Sequence, residues 1–328
     1  MGSSRGRVIK LPKIDREDVR QRRVTISTRD GHLLEGVQYD PVSGAKAAIL
    51  INAGTGIPQY FYASFAAYLA SRGFGVLTYD YRGIGASAPR SLRGYKATKV
   101  DWGRHDFTAA FSRLEREYPD MKHFVFGHSV GGQLMGLMAN ASRIDAVATY
   151  GMGFGYWGGM EGNQRALVWT LWHVLVPLFT KTFGYMPASL IGLGVDLPAG
   201  VTQDWARWGK REDYYVSELG DSPGFSAIDV PWAAFIARDD EVATPANALP
   251  NLACYPNAEI EITWMEPSDY SLNKLGHIDF FSRKRQIAWA PVAEWFESQC
   301  SQHAAKQDEE DHREDEKEDA AGSDRDAS

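Results

Sequence analysis

The chain has 328 residues, 44% of them apolar, and a formal net charge of −7, enough for one large domain or two ordinary ones. That charge is local. From Gln302 onward there are eleven acids and four Lys/Arg, which leaves 31 of each sign in the remainder. A neutral body with no basic stripe excludes a nucleic-acid binder, and the tail, residues 301–328, has the composition of a disordered, solvating segment. Two cysteines, Cys254 and Cys300, exclude a disulfide framework. Residues 1–22 form a charged lead-in with no apolar h-region, so no signal peptide is expected. The longest apolar run, Ala166–Phe179, is shorter than the roughly 18–20 residues of a membrane span. The expectation is a soluble cytoplasmic protein of unknown oligomeric state, with no membrane span.

In chain order, Val24–Thr28 and Leu33–Tyr39 flank an Asp30-Gly31 turn and predict a hairpin. Ala47–Asn52 is a continuous apolar run, as in a strand buried on both faces. Apolar residues at spacings of three and four predict a helix from Tyr60 to Ser71, ended by Gly73. Gly75–Tyr79 is the next strand, Trp102–Tyr118 a helix stopped by Pro119, His123–Phe126 a strand, Ser129–Asn140 a helix and Asp145–Tyr150 a strand. This alternation predicts an α/β fold, a mainly parallel sheet covered by helices. It breaks at Gly151. Residues 151–225 are rich in Gly, Trp, Tyr and Pro, and read as a helical cap inserted over the C-terminal edge of the sheet. The pattern resumes with strands at Trp232–Ile236 and Glu259–Trp264 and helices at Pro245–Leu252 and Gln286–Gln299. The core is therefore residues 23–150 and 226–300.

The strand before Gly127 runs directly into G-H-S-V-G-G, residues 127–132. A serine between glycines, after a strand and opening a helix, is the signature of a nucleophile elbow. Such a serine sits at a strained turn where neighbouring side chains would collide, and Gly127 and Gly131 remove them. Ser129 is the candidate nucleophile, and the amide of Val130 points at the same spot. A serine hydroxyl needs a base, and in a fold of this order an acid and then a histidine follow it. After the insertion, W-A-A-F-I-A-R-D-D-E-V is a strand ending in Asp239 and Asp240. Asp240 is favoured, since it precedes Glu241-Val242 and a helix opened by Pro245, and Asp239 reads as a solvated turn residue. His277, in L-G-H-I-D-F-F, is the histidine at the right place in the order.

With these residues in hand, the chain resembles the α/β-hydrolase superfamily over about residues 24–150 and 226–298. It is most similar to the serine-aminopeptidase and monoacylglycerol-lipase-like branch. The stretch Y-D-Y-R-G-I-G-A-S, residues 79–87, resembles that branch's segment after the fourth strand, in which Asp80 and Arg82 are structural. The resemblance implies an oxyanion donor after the third strand, where the branch has His-Gly. This chain reads I-N-A-G-T-G-I-P-Q-Y-F-Y, without the histidine. Aligning Tyr62 with the branch's tyrosine makes Thr55 the donor, and a shift of one residue makes it Gly54.

No H-E-x-x-H or P-loop occurs, and in G-I-G-A-S, residues 83–87, the glycines follow a strand but lack the G-x-G-x-x-G spacing, so no metal or cofactor is expected. The aromatic residues of the insertion, Trp157, Trp169, Trp205 and Trp208 among them, suggest an apolar wall for an acyl substrate. The expected activity is a serine hydrolase acting on a medium-sized hydrophobic ester, thioester or lactone, a small-molecule apolar acyl substrate. The alternatives are an acyltransferase or a C–C hydrolase using the same residues, or a non-catalytic ligand-binding protein with this fold.

Overall fold

A computed structural model describes residues 18–192 and 194–301. Residues 1–17 of the expected lead-in and residues 302–328 of the acidic tail lie outside that range. The first strand starts earlier than the hairpin signal implied. β1 (Val19–Ser27) pairs antiparallel with β2 (Leu33–Pro41) around Gly31, at φ +88°. Its arginines at 20, 22 and 23 face solvent at the sheet edge, which disfavours pairing with another chain. β3 (Ala47–Asn52) is buried at every residue. A short turn of helix leads into α1 (Ala63–Ser71), and β4 (Phe74–Tyr79) is again wholly buried.

α2 (Lys99–Asp101) opens with a capping box formed by Thr98 and Asp101, and continues through a π-helical stretch (Trp102–Phe107) into α3 (Thr108–Glu117). β5 (His123–His128) then reaches α4 (Val130–Gln133), a helix of only four residues where the sequence predicts twelve. Distant tyrosines explain the break. The Tyr255 hydroxyl donates to the Gly132 and Gln133 carbonyls and accepts from the Gly136 amide, and the Tyr215 hydroxyl also donates to the Gln133 carbonyl. The backbone groups that a longer helix would pair internally are thus satisfied by side chains, and a second short turn, Met135–Leu137, follows.

β6 (Ala146–Tyr150) completes the first half of the sheet. Between it and β9, residues 151–230 carry α5 (Gly162–Thr170), a π-helical stretch (Leu171–Leu175), α6 (Val176–Phe183), the two-residue strands β7 (Tyr185–Met186) and β8 (Leu197–Pro198), α7 (Ala199–Gly209), α8 (Val216–Leu219) and α9 (Pro223–Ala227). The apolar run there belongs to one helix, Gly162–Phe183, which by length and composition could cross a membrane. Val168, Leu171, Trp172, Val176 and Thr180 bury one stripe of it, at helical spacing, against the protein. β9 (Pro231–Ala237), α10 (Pro245–Leu252) and β10 (Glu259–Met265) follow, and residues 290–301 form the closing helix.

The eight-stranded sheet has the order β1-β2-β4-β3-β5-β6-β9-β10. β2 is antiparallel to both neighbours, and the pairings from β4 to β10 are parallel. This parallel run sends the ends of β3, β5, β6, β9 and β10 to one edge, where ligands bind in open α/β sheets.

One buried ion pair anchors the loop after β4. Arg82 donates to Asp106 through its backbone N–H (2.9 Å) and Nε (2.7 Å), and its other nitrogens reach the partly exposed Asp30. Asp80 accepts from the Gln59 and Ala86 amides at 2.7 and 2.9 Å. Both residues thus tie loops together. Replacing Asp106 with Ala leaves a buried guanidinium short of a partner and should cost about 3–5 kcal/mol in urea unfolding, whereas Asp30→Ala should cost about 1 kcal/mol or less.

Candidate active site

Ser129 ends β5 with φ 52° and ψ −118°, a backbone region that non-glycine residues rarely occupy and that costs on the order of 1–3 kcal/mol. Its neighbours make that turn sterically feasible. A Cβ on Gly127 would stand 2.7 Å from Gly132, and one on Gly131 would overlap the carbonyl of Asn52. The Ser129 amide donates to the Tyr150 carbonyl (3.1 Å) and its carbonyl accepts from Gly132 and Gln133, so the backbone is held on both sides. The side chain stays half-buried rather than enclosed.

The acid and the histidine arrive from the other half of the sheet. Asp240, 5% exposed, lies just past β9. Its Oδ1 accepts from the Val242 and Ala243 amides, both at 2.8 Å, and its Oδ2 lies 2.8 Å from Nδ1 of His277. A carboxylate accepts, so Nδ1 carries the proton and Nε2 is free to act as a base. A Cβ on Gly151 would stand 3.0 Å from Asp240 Oδ2 and 3.1 Å from His277 Nδ1. Gly151 follows Tyr150, whose carbonyl holds the Ser129 amide, so the Ser129 backbone and the His277–Asp240 pair both border residues 150–151. The Ser129 hydroxyl makes no hydrogen bond to His277 among the described residues, and contacts of this kind often tighten only when substrate is bound.

Asp239 corrects the expectation of a solvated turn residue. Its carboxylate accepts from the Leu275 and Gly276 amides, both at 3.0 Å. The two adjacent acids therefore divide the work, one orienting the imidazole and the other clamping the loop that carries it. The clamp joins β9 to a loop 36 residues downstream, so no local signal in the sequence could reveal it.

His128 was also passed over in the sequence. It is fully buried. Its Nε2 donates to the His277 carbonyl (3.0 Å), so Nδ1 is the acceptor and takes a bond from the Tyr62 hydroxyl (2.7 Å). Burial, with His277 close by, holds its pKa well below the usual histidine range, so it stays neutral. The Tyr62 oxygen in turn accepts from the Gly54 amide (2.8 Å). The two oxyanion candidates differ in this respect. Gly54 N–H is already committed, whereas the amides of Thr55 and Val130 donate to no group among the described residues.

The four tryptophans separate. Trp208 is fully buried, donates from Nε1 to Glu218 and packs on Tyr214 and Tyr215. It is a core residue of the insertion, which removes it from the expected substrate wall. Trp157 and Trp169 gather around His173, Trp169 stacked on it at 4.6 Å and 42% exposed. Trp205, half-buried on α7, alone stands beside the Thr55 loop, through Lys99.

Residues 43–178 match a family model described as serine aminopeptidase, S33. A hypothetical protein from Pseudomonas aeruginosa superimposes with a TM-score of 0.58 at 18% identity, covering 86% of this chain and 94% of its own. The chain has the α/β-hydrolase fold. An esterase from Pyrococcus furiosus (TM-score 0.56, 16% identity, 89% of this chain and 96% of its own) shares that fold. So does the esterase domain of a Rhodothermus marinus protein (0.52, 17%, 84% and 97%). No curated protein matches the sequence.

Replacing Asp239 with Ala should free the Leu275 and Gly276 amides. Their hydrogen exchange should accelerate at least tenfold, and the protein should lose about 1–3 kcal/mol of stability.

Proposed function

We propose that this α/β hydrolase is a serine hydrolase that cleaves esters, thioesters or lactones of hydrophobic acids through an acyl-enzyme. Ser129 Oγ attacks the substrate carbonyl carbon while His277 Nε2 takes the hydroxyl proton. The charge that builds on the carbonyl oxygen is met by the amides of Val130 and Thr55, donors of a kind worth about 3 kcal/mol each. The imidazolium formed is stabilised by Asp240, then gives its proton to the leaving oxygen or sulfur as the bond to the acyl carbon breaks. Water repeats the sequence, releasing the acid and restoring Ser129.

The observation that carries this reading is the His277–Asp240 hydrogen bond of 2.8 Å beside Gly151, one residue from the carbonyl that holds the Ser129 amide. The chain order Ser129, Asp240, His277 supports the same reading. The esterases from Pyrococcus furiosus and Rhodothermus marinus that share this fold agree with it. An apolar acyl group is supported by the aromatic content of the insertion, where half-buried Trp205 packs against Trp172 and stands over Lys99.

A fluorophosphonate probe should label the protein, and Ser129→Ala should abolish both the labelling and the hydrolysis of 4-nitrophenyl esters. Asp240→Asn should retain the fold but lower kcat by about 10⁴-fold, because the imidazole loses its correct tautomer. Across acyl chains of two to twelve carbons, kcat/KM should peak at medium length. Ser129-independent hydrolysis, or a preference for acetyl over every longer chain, would overturn the reading.

A further inference from the structure

Lys99 is 1% exposed, and the reaction above does not use it. A primary amine in the interior needs acceptors, and this one has a single protein acceptor. Its Nζ donates to Thr55 Oγ1 at 2.7 Å. The nearest acid, Asp204, is already engaged. It accepts from the Lys99 backbone amide at 3.0 Å and pairs with Arg207 at 2.9 Å. No carboxylate lies within ion-pair distance of Nζ among the described residues. The amine instead rests on indole faces, 4.4 Å from the Trp205 ring centre and 5.9 Å from that of Trp102.

The position matters as much as the missing acceptors. Thr55 is the residue whose amide faces the developing oxyanion in the proposed reaction, and Trp205 belongs to α7 of the insertion. Both are half-buried. The amine therefore lies directly behind a surface made of these two side chains, at the seam between the insertion and the sheet edge. An acyl group held on Ser129 would run along that seam.

We propose that Lys99 is a specificity-determining residue whose amine, beside Thr55 and Trp205, binds a second oxygen acceptor on the acyl group, a ketone or a carboxylate; this rests on the serine-hydrolase reading. The unused N–H bonds of the amine supply the donors. The indole faces strip water from them, so an acyl group lacking that oxygen leaves buried donors unpaired and is disfavoured, whereas one that carries it is selected. Burial also pushes the Lys99 amine well below the usual lysine range, in keeping with a site that has no resident counter-ion. The preferred substrate is then an apolar chain with one oxygen acceptor partway along it, rather than a plain hydrocarbon acid.

The test is a panel of 4-nitrophenyl heptanoate, its 4-, 5- and 6-oxo derivatives and mono-4-nitrophenyl adipate, with each rate corrected for uncatalysed hydrolysis. At least one oxygen-bearing ester should exceed heptanoate by tenfold or more in kcat/KM. The oxo and adipate arms separate a ketone from a carboxylate. In K99M that ratio should fall to within threefold of unity, whatever the absolute rates. A wild-type enzyme with no such preference overturns the proposal without reference to any variant, and so does a K99M enzyme that keeps it. Calorimetry on S129A makes the two failures distinguishable. If no ester is turned over by Ser129, the hydrolase reading falls, while tighter binding of an oxo ester than of heptanoate to S129A, lost in S129A/K99M, still upholds the Lys99 site. Equal binding of the two esters removes it.

Discussion

The close approach of two backbones, at Asn52 and Gly131, is the constraint on which the rest of the site depends. The carbonyl of Asn52 occupies the space that a side chain on residue 131 would need. Asn52 Nδ2 donates back to the Gly131 carbonyl at 3.3 Å, and its Oδ1 accepts from the Tyr79 hydroxyl. The end of β3 is thereby stitched to the turn after β5. Because the Thr55 loop begins at the residue after Asn52, the same contact sets the spacing between Thr55 and Ser129. A strained φ of 52° at Ser129 persists because strands β3, β4, β5 and β6, buried at every residue, hold both ends of the turn.

His277 is held from several directions at once. Asp239 fixes the two amides before it, His128 donates to its carbonyl, and the Tyr150 hydroxyl donates to the Gly276 carbonyl. Phe280 stacks on Tyr150 at 3.9 Å, and Phe281 packs edge-on against Tyr62 and Phe65. A loop in an enzyme of this kind has to deliver one imidazole to within about half an ångström, and here each contact comes from a different part of the sheet edge. His128 and Tyr62 link that loop to Gly54, so movement of the histidine loop is coupled to the Gly54–Thr55 loop through three hydrogen bonds.

Much of this was legible in the sequence, for physical reasons that can be named. Strands buried on both faces print as unbroken apolar runs, which is why Ala47–Asn52 coincides with the observed bounds of β3; the helix Pro245–Leu252 coincides too, because a proline opens it. The elbow is legible because its glycines are steric requirements. The illegible parts are all non-local. The helix after Ser129 stops because hydroxyls from residues 215 and 255 take its carbonyls. Asp239 looks identical to a surface acid until residues 275 and 276 are placed against it. Trp208 and Trp205 are three residues apart on one helix, yet one is sealed within the insertion and the other stands next to Lys99. Composition alone treats them alike.

The shortness of α4 changes how negative charge at Ser129 would be stabilised. A long helix behind the nucleophile contributes its aligned peptide dipoles, equivalent to roughly half a charge at the N-terminus. Four residues align few of them, so in the proposed reaction stabilisation falls to individual donors, the amides of Val130 and Thr55. Such donors act only over hydrogen-bond distances, so their placement has to be enforced side by side. Val130 is enforced by the turn itself. Thr55 is enforced from behind, where the Lys99 amine holds its hydroxyl at 2.7 Å and the Thr98–Asp101 capping box fixes the start of the helix that carries Lys99. The fold thus replaces a distributed dipole with a few directed hydrogen bonds, and it places a buried amine one side chain behind Thr55, the more exposed of the two proposed donors.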